Sequence, residues 1–164
     1  MTISLTKTTT LVLLCLVSAC TPSASLDTSP PQAEYSKSHA RSGLICESPQ
    51  LYANQVVGDG HCVSLIKKCA AAPATPQWRA GKQVLSFKHP LPLGTIIATF
   101  KNGRYPNRTG FHAAIYISHD ASGIWVWDQW QGKAVHRRLI RTRSDSSTAS
   151  NSASAYRVVR LQAR

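Results

Sequence analysis

The second half of the chain is a series of short apolar segments separated by turn residues, and this pattern constrains the fold more than any other feature. The segments are rich in β-branched and aromatic residues and are bounded by glycine, proline, asparagine, aspartate or serine, which is typical of strands. Five strands are predicted: 95–100, 112–118, 124–130, 134–140 and 156–161. Because helix-like segments precede them, the order of elements predicts one α+β domain.

Two helices are predicted ahead of the strands. Ser48 and Pro49 offer a cap and a first-turn proline for a helix over 50–57, and a glycine follows it. The second helix begins at Cys62, after which apolar residues recur at helical spacing. Breaker residues end that helix, and the segment around Trp78 is predicted as a short turn.

Cys62 and His112 have the sequence layout of a cysteine nucleophile and its base. Cys62 follows the turn 57–61 at a helix start, where unpaired N–H groups and the helix dipole lower the pKa of a thiol. His112 begins an apolar strand. The alternative is a buried structural cysteine and a partly buried structural histidine. Two glycines and an aspartate in the turn favour the nucleophile, because they allow a substrate carbonyl to approach the backbone.

A base histidine needs an acceptor that orients its ring, and Asp128 is the candidate on the next predicted strand. An odd-length loop between the strands places the two side chains on one face, and an even-length loop separates them. A five-residue loop, or a three-residue loop ending in Gly123, meets this condition. The five-residue loop places Trp130 opposite His112 and Asp128 on the diagonal. A surface role for Asp128 is the alternative, and Asp59 is its rival as orienting acid.

The N-terminal region predicts export. Residues 1–19 carry a short apolar stretch typical of a signal peptide, and 17–20 resembles the bacterial lipobox, in which Cys20 becomes the lipid anchor. An ordinary signal peptide cut nearby is the alternative. The threonine after Cys20 favours the periplasmic face of the outer membrane. Residues 20–42 are rich in serine, proline and threonine and predict a flexible tether to a domain over 43–164.

The cysteine count leaves an odd thiol in the domain. Cys15 leaves with the leader and Cys20 is assigned to the lipid, so that Cys46, Cys62 and Cys69 remain. An exported chain lies where disulfides form, so Cys46 and Cys69 are predicted to be bonded and Cys62 to be the free thiol. Pairing of Cys62 with either neighbour would defeat its interpretation as a nucleophile.

Two further segments differ from the strands around them. The segment 101–110 is long for a hairpin loop and contains Arg104 and Tyr105 just before His112, so it is a candidate substrate-binding loop. A solvated variable loop is the alternative. The Ser-rich stretch 144–154 predicts a mobile loop without a function.

The formal net charge of +12 predicts an anionic partner, such as wall carboxylates, lipopolysaccharide or a phospholipid surface. Nucleic acid is not expected, because the chain is predicted to be exported and carries no recognisable binding motif. A metal site is not expected either. His112 and His119 lie seven residues apart on one predicted strand, which puts their side chains on opposite faces.

The ordered segments 60–63, 110–116 and 127–130 resemble the papain-like NlpC and CHAP superfamily of bacterial cysteine peptidases and amidases. Residues 73–78 and 103–107 are similar to a small proteobacterial family within it, to which amidase effectors of type VI secretion are related. The resemblance implies a papain-like fold, with N-terminal helices packed on an antiparallel sheet.

The resemblance further implies hydrolysis of an amide in the peptidoglycan stem peptide, without a cofactor. Cys62 becomes nucleophile, His112 general base and Asp128 the orienting group. Candidate substrate contacts are Asp59, Gly60, His61, Arg104, Tyr105 and Gln129. A monomer with a possible immunity protein is expected. The alternatives are a non-catalytic envelope-binding lipoprotein that keeps the fold, and a papain-like acyltransferase.

Overall fold

The computed structural model describes residues 43–142 and 148–162. The signal peptide predicted over 1–19, the lipid anchor predicted at Cys20 and the tether predicted over 20–42 lie outside the described residues. Within the described part, no helix is both long and apolar enough to cross a bilayer.

The domain is built on one six-stranded sheet in which every pair of neighbouring strands is antiparallel. The strands lie in the order β1-β6-β2-β3-β4-β5. They are β1 (Trp78–Gln83), β2 (Ile96–Thr99), β3 (Ala113–Asp120), β4 (Gly123–Trp130), β5 (Lys133–Arg141) and β6 (Tyr156–Leu161). The five predicted strands are therefore confirmed, and the chain is α+β with a central strand pair, β2 and β3, that is buried along most of its length.

The described residues contain one α-helix, α1 (Cys62–Ala70), and not the two that the sequence predicts. The first predicted helix is only a 3-10 turn over Pro49–Tyr52. It ends because Asn54 adopts a positive φ of 63° and its N–H donates to the Val135 carbonyl at 2.8 Å. Pairing of this segment with β5 therefore replaces the helical hydrogen bonds that the sequence pattern suggests.

The prediction for the segment around Trp78 is also wrong. It forms β1, paired with β6 at the edge of the sheet, where a short turn is predicted. Trp78 is completely buried, and its indole N–H donates to the Pro73 carbonyl at 3.0 Å. The glycine within β1 and the prolines before it obscured the strand pattern in the sequence.

Apolar side chains cover both faces of the sheet, because strands buried on both sides supply residues to two cores. Leu65 and Ile66 of α1 pack with Trp78, Ile96, Ala98, Ala113, Ile115, Val135 and Val159 on one face. The other face packs Val84, Leu91, Ile97, Ala114, Tyr116, Ile124, Val126, Ile140, Ala153 and Tyr156. The helix is thereby fixed with its N-terminus beside the start of β3.

Part of the predicted Ser-rich loop packs on the second face. Residues 149–151 and 153–155 form two 3-10 turns, and Ala153 is fully buried. Tyr156 donates its hydroxyl to the Ser150 carbonyl at 2.8 Å. Composition gave no sign of this packing. Residues 144–147 of the loop lie outside the described residues.

A disulfide joins Cys46 to Cys69, as predicted; the two residues are 23 positions apart in sequence, and their Cα atoms are 5.1 Å apart. It ties the C-terminal end of α1 to the segment that enters the sheet beside β2. Cys62 carries a free thiol.

Reduction of this disulfide should lower the free energy of unfolding by about 2–4 kcal/mol, because the unfolded chain loses a loop constraint. Thermal melts with and without reductant, on wild type and on Cys46→Ala/Cys69→Ala, measure the effect. The double variant should melt at the reduced wild-type temperature. A wild-type melt that does not respond to reductant would contradict the bond.

Candidate active site

The turn before Cys62 is held by a buried amide. Gln129 of β4 accepts from the Val57 N–H at 2.9 Å and donates to the carbonyls of Val57 and His61 at 2.8 and 2.9 Å. Its side chain is fully buried. The predicted substrate contact of Gln129 is therefore corrected, because its amide already bonds the turn. Gln129 instead sets the position from which α1, and with it Cys62, begins.

Other residues of the turn also stabilise the start of α1. The exposed carboxylate of Asp59 accepts from the His61 N–H at 3.0 Å and from the Ser64 hydroxyl at 2.5 Å. These bonds lower the pKa of Asp59, the Ser64 bond most of all. Gly60 has a φ of 80°, which suits glycine. Asp59 thus bonds α1 and the turn, and the carboxylate that bonds His112 is a different one.

His112 is the residue immediately before β3, and Thr99 holds its backbone on both sides. The Thr99 N–H donates to the His112 carbonyl at 3.0 Å, and the His112 N–H donates to Thr99 Oγ1 at 2.9 Å. His112 is 6% exposed, and Nε2 of its ring lies 3.0 Å from Asp128 Oδ2. With Nε2 bonded to the carboxylate, Nδ1 is the nitrogen left for Cys62.

His112 and Asp128 lie on one face of the sheet, as the sequence predicts, but the loop between their strands has neither of the predicted lengths. Asp120 pairs with Gly123, so the hairpin loop has two residues, an even number. One extra residue, Ile117, is inserted into β3 between two successive pairs with β4. This bulge shifts the register by one and restores the same-face relation that the even loop alone would remove.

Cys62 lies in a partly buried position, next to both His112 and Tyr105. Burial opposes its ionisation, but the hydrogen bond and charge of His112 outweigh burial, with help from the Ala113 N–H and Tyr105, and they lower the pKa of Cys62. The Tyr105 hydroxyl is 3.6 Å from Cys62 Sγ. Burial raises the pKa of Tyr105, and the charge of Cys62 raises it further. Its hydroxyl therefore remains protonated and can donate to the thiolate.

The imidazole is correspondingly basic. Burial disfavours its charged form, but the bond to Asp128 and the contact with Cys62 raise the pKa of His112 to about 9. Asp128 is fully buried, and the bonds from His112 and Arg138 outweigh burial and lower the pKa of Asp128. These shifts favour the charged forms of all three groups, a thiolate, an imidazolium and a carboxylate side by side.

Arg138 is a member of this network that sequence reasoning missed. Its Nε and Nη2 donate to Asp128 Oδ2 at 2.9 and 2.7 Å. Arg138 lies opposite Val126, two positions from Asp128 on β4, so the three side chains share a face of the sheet. The alternation of the predicted strand 134–140 could have identified Arg138 if the register with β4 had been known.

Two aromatic rings complete the surroundings of the carboxylate. The Trp130 ring is 6.4 Å from the His112 ring and 4.8 Å from the His136 ring, centroid to centroid. His136 Nε2 is 3.9 Å from Asp128 Oδ1. Trp130 is 41% exposed, so it forms part of the surface beside His112.

The segment 101–110 contributes one residue to the site and leaves another apart. Tyr105 is buried against Trp78 and Phe100, with ring centroids 5.2 and 6.4 Å away, and this packing fixes its hydroxyl beside Cys62. Arg104 is exposed, and its backbone bonds Lys101 in a tight turn next to β1. In the described ranges, 43–142 and 148–162, no three His, Cys, Asp or Glu side chains are grouped as metal ligands.

Replacement of Arg138 by glutamine should leave the buried Asp128 carboxylate without its cation. We expect a loss of about 1–3 kcal/mol in the free energy of unfolding, below the loss for a fully buried pair because the Arg138 side chain is 19% exposed. Urea unfolding at several pH values measures it. The pKa of Asp128 is depressed in the folded state, so the stabilisation exists above the unfolded pKa and disappears as pH falls.

Arg137→Gln is the matched control, because Arg137 is the exposed neighbour whose guanidinium lies over Trp125. It should unfold within about 0.5 kcal/mol of wild type. Equal losses in both variants, or a loss in Arg138→Gln that persists undiminished in acid, would show that Arg138 does not act through Asp128.

The chain is similar in sequence to known amidase effectors. The family model described as domesticated amidase effector 2 (Dae2) matches residues 35–159. The chain is 39% identical over 132 residues to a type VI secretion amidase effector 2 protein of Salmonella typhi, covering 68% of this chain and 98% of that protein. It is 41% identical over 103 residues to domesticated amidase effector 2 of Ixodes scapularis, covering 58% and 70% respectively.

A solved structure of a type 6 secretion amidase effector 2 (Tae2) is similar in fold and sequence. It superposes with a TM-score of 0.64 at 36% identity, and the match covers 73% of this chain and 96% of that one. The similarity therefore extends over nearly the whole of the solved domain.

Proposed function

Because the chain belongs to the domesticated amidase effector 2 family, we propose that it hydrolyses an amide bond in the peptide stems of bacterial peptidoglycan. Its catalytic groups are Cys62, His112 and Asp128, on a papain-like arrangement of one helix against a sheet. One observation carries the proposal: the thiol at the start of α1 is in contact with an imidazole whose Nε2 is bonded to a buried carboxylate at 3.0 Å.

The proposed reaction starts from the thiolate–imidazolium pair. The Cys62 sulfur bonds to the carbonyl carbon and forms a tetrahedral intermediate. Cys62 is the first residue of α1, where N–H groups lack intrahelical acceptors, so its own N–H is available to the oxyanion. His112 then gives its proton to the amine as the C–N bond breaks.

The second half of the reaction releases the acyl group. The departure of the amine leaves a thioester on Cys62 and a neutral His112. His112 accepts a proton from water, the hydroxide oxygen bonds to the carbonyl carbon, and the C–S bond breaks to restore the thiolate. The Asp128 carboxylate keeps the ring oriented and stabilises its charged form in both halves.

The same proposal covers the location of the enzyme. A lipid on Cys20 would anchor it at the periplasmic face of the outer membrane, and the tether predicted over 20–42 would let the domain reach the wall. The domain acts as a monomer, and an immunity protein is a possible partner, as expected for a chain related to secreted effectors.

Digestion of purified peptidoglycan, with mass analysis of the released fragments, tests the proposal. Wild type should release peptides with a new amine and a new carboxylate. Cys62→Ala and His112→Ala should reduce turnover by at least about a thousandfold, because they remove the nucleophile and the base. Asp128→Asn should retain more activity than Cys62→Ala, since an amide still accepts a hydrogen bond.

Asp59→Asn serves as the comparison for Asp128→Asn, because the Asp59 carboxylate bonds Ser64 and His61. It should stay close to wild type. If Asp59→Asn loses turnover while Asp128→Asn remains fully active, the orienting acid is Asp59 and not Asp128. Wild type that binds the wall without cleaving it would favour the non-catalytic lipoprotein. Transfer to an added amine in place of water would favour an acyltransferase.

A further inference from the structure

Three arginines form a row across one edge of the sheet. Arg79 of β1 lies directly opposite Arg160 of β6, and an isolated bridge pairs it with Arg104 on its other side. Residues directly opposite one another in antiparallel pairing project from the same side, with Cβ atoms about 4.5–5.5 Å apart. Arg104, Arg79 and Arg160, here called the arginine row, therefore present their guanidinium groups to one side of this edge.

The charges of the arginine row are not neutralised within the described part of the chain. None of the three forms an ion pair there, since all described ion pairs involve Asp128. The Arg79 guanidinium donates to the carbonyls of Pro76 and Trp78 and to the side chain of Gln162, which are neutral acceptors. Strands β1 and β6 and the turn at 101–104 contain no carboxylate.

Like charges opposite one another on neighbouring strands destabilise a sheet. The row therefore adds a repulsion that folding must overcome, and an anion placed across it would remove that repulsion. Guanidinium groups bond phosphate through paired N–H donors, so phosphate oxygens match the row better than isolated carboxylates do.

The location of the row indicates which phosphates it meets. Gly43, the first described residue, is bridged to Arg160, so the preceding 42 residues connect to the domain beside the row. Those residues include Cys20, the predicted site of the lipid anchor. A cluster of arginines close to the point where the chain leads to a predicted lipid anchor is typical of a contact with an anionic membrane surface.

We propose that the arginine row docks the domain on the phosphate groups of an anionic bilayer surface. The contact adds a second, electrostatic attachment to the predicted lipid anchor and orients the sheet edge formed by β1 and β6 toward the membrane. It is separate from the proposed hydrolysis, because none of its contacts involves Cys62, His112 or Asp128.

Vesicle binding by the full chain tests the proposal, with Cys20→Ser to prevent acylation. Vesicles of phosphatidylglycerol mixed with phosphatidylcholine are compared with vesicles of phosphatidylcholine alone, which measure the contribution of the apolar leader. The variant Arg79→Gln/Arg104→Gln/Arg160→Gln should bind the anionic vesicles at least about tenfold more weakly than its parent. Binding of the parent should fall as salt is raised.

The control variant Lys133→Gln/Arg137→Gln/Arg141→Gln removes the same charge from β5, at the opposite edge of the sheet. It should bind within about twofold of the parent. The pair Arg104→Gln/Arg160→Gln, at two exposed positions, provides a second test if loss of the Arg79 bonds affects folding, which thermal melts report.

Equal losses in the row variant and the β5 variant would overturn the proposal, because net charge alone would then explain binding. Equal binding of the parent to neutral and anionic vesicles would overturn it as well. Row-dependent binding to purified peptidoglycan, without row-dependent binding to vesicles, would assign the row to the wall instead.

Discussion

The buried carboxylate of Asp128 is the interaction on which the rest of the candidate site depends. An ionised carboxylate inside a protein costs several kcal/mol unless charged or hydrogen-bonding partners compensate it. Among the described residues, Asp128 has two hydrogen-bonding partners, His112 and Arg138, both bonded to Oδ2 at 2.7 to 3.0 Å, and His136 lies 3.9 Å from Oδ1. The result is a sequence of alternating charges from Arg138 through Asp128 and His112 to the Cys62 thiolate. Each member favours the charged form of its neighbour.

Backbone geometry places these charges within reach of one another. The bulge at Ile117 brings Asp128 to the side of the sheet that His112 faces, and Thr99 fixes the backbone of His112. On the other side, the buried amide of Gln129 holds the turn that leads into Cys62. Asp128 and Gln129 are consecutive residues of β4 that point to opposite faces, so one strand positions both the base and the nucleophile.

Local sequence patterns predicted the helix at Cys62, the five strands from residue 95 onward and the grouping of Cys62, His112 and Asp128. They could not predict that the first helix is reduced to a 3-10 turn, because pairing of Asn54 with β5 is a long-range contact. The bulge at Ile117 left no signal of its own in the alternation. Arg138 and Gln129 were missed or misassigned for the same reason, since their roles depend on which strands are neighbours.

Ionisation of Cys62 is the most direct test of this account. The thiol can be titrated by its rate of alkylation as a function of pH, in a chain with Cys15→Ser and Cys20→Ser so that Cys62 is the reactive cysteine. The account predicts that wild-type Cys62 ionises with a pKa below its ordinary value of 9.0, and that His112→Ala raises this pKa. A wild-type thiol that titrates at or above 9.0, unchanged by His112→Ala, would contradict it.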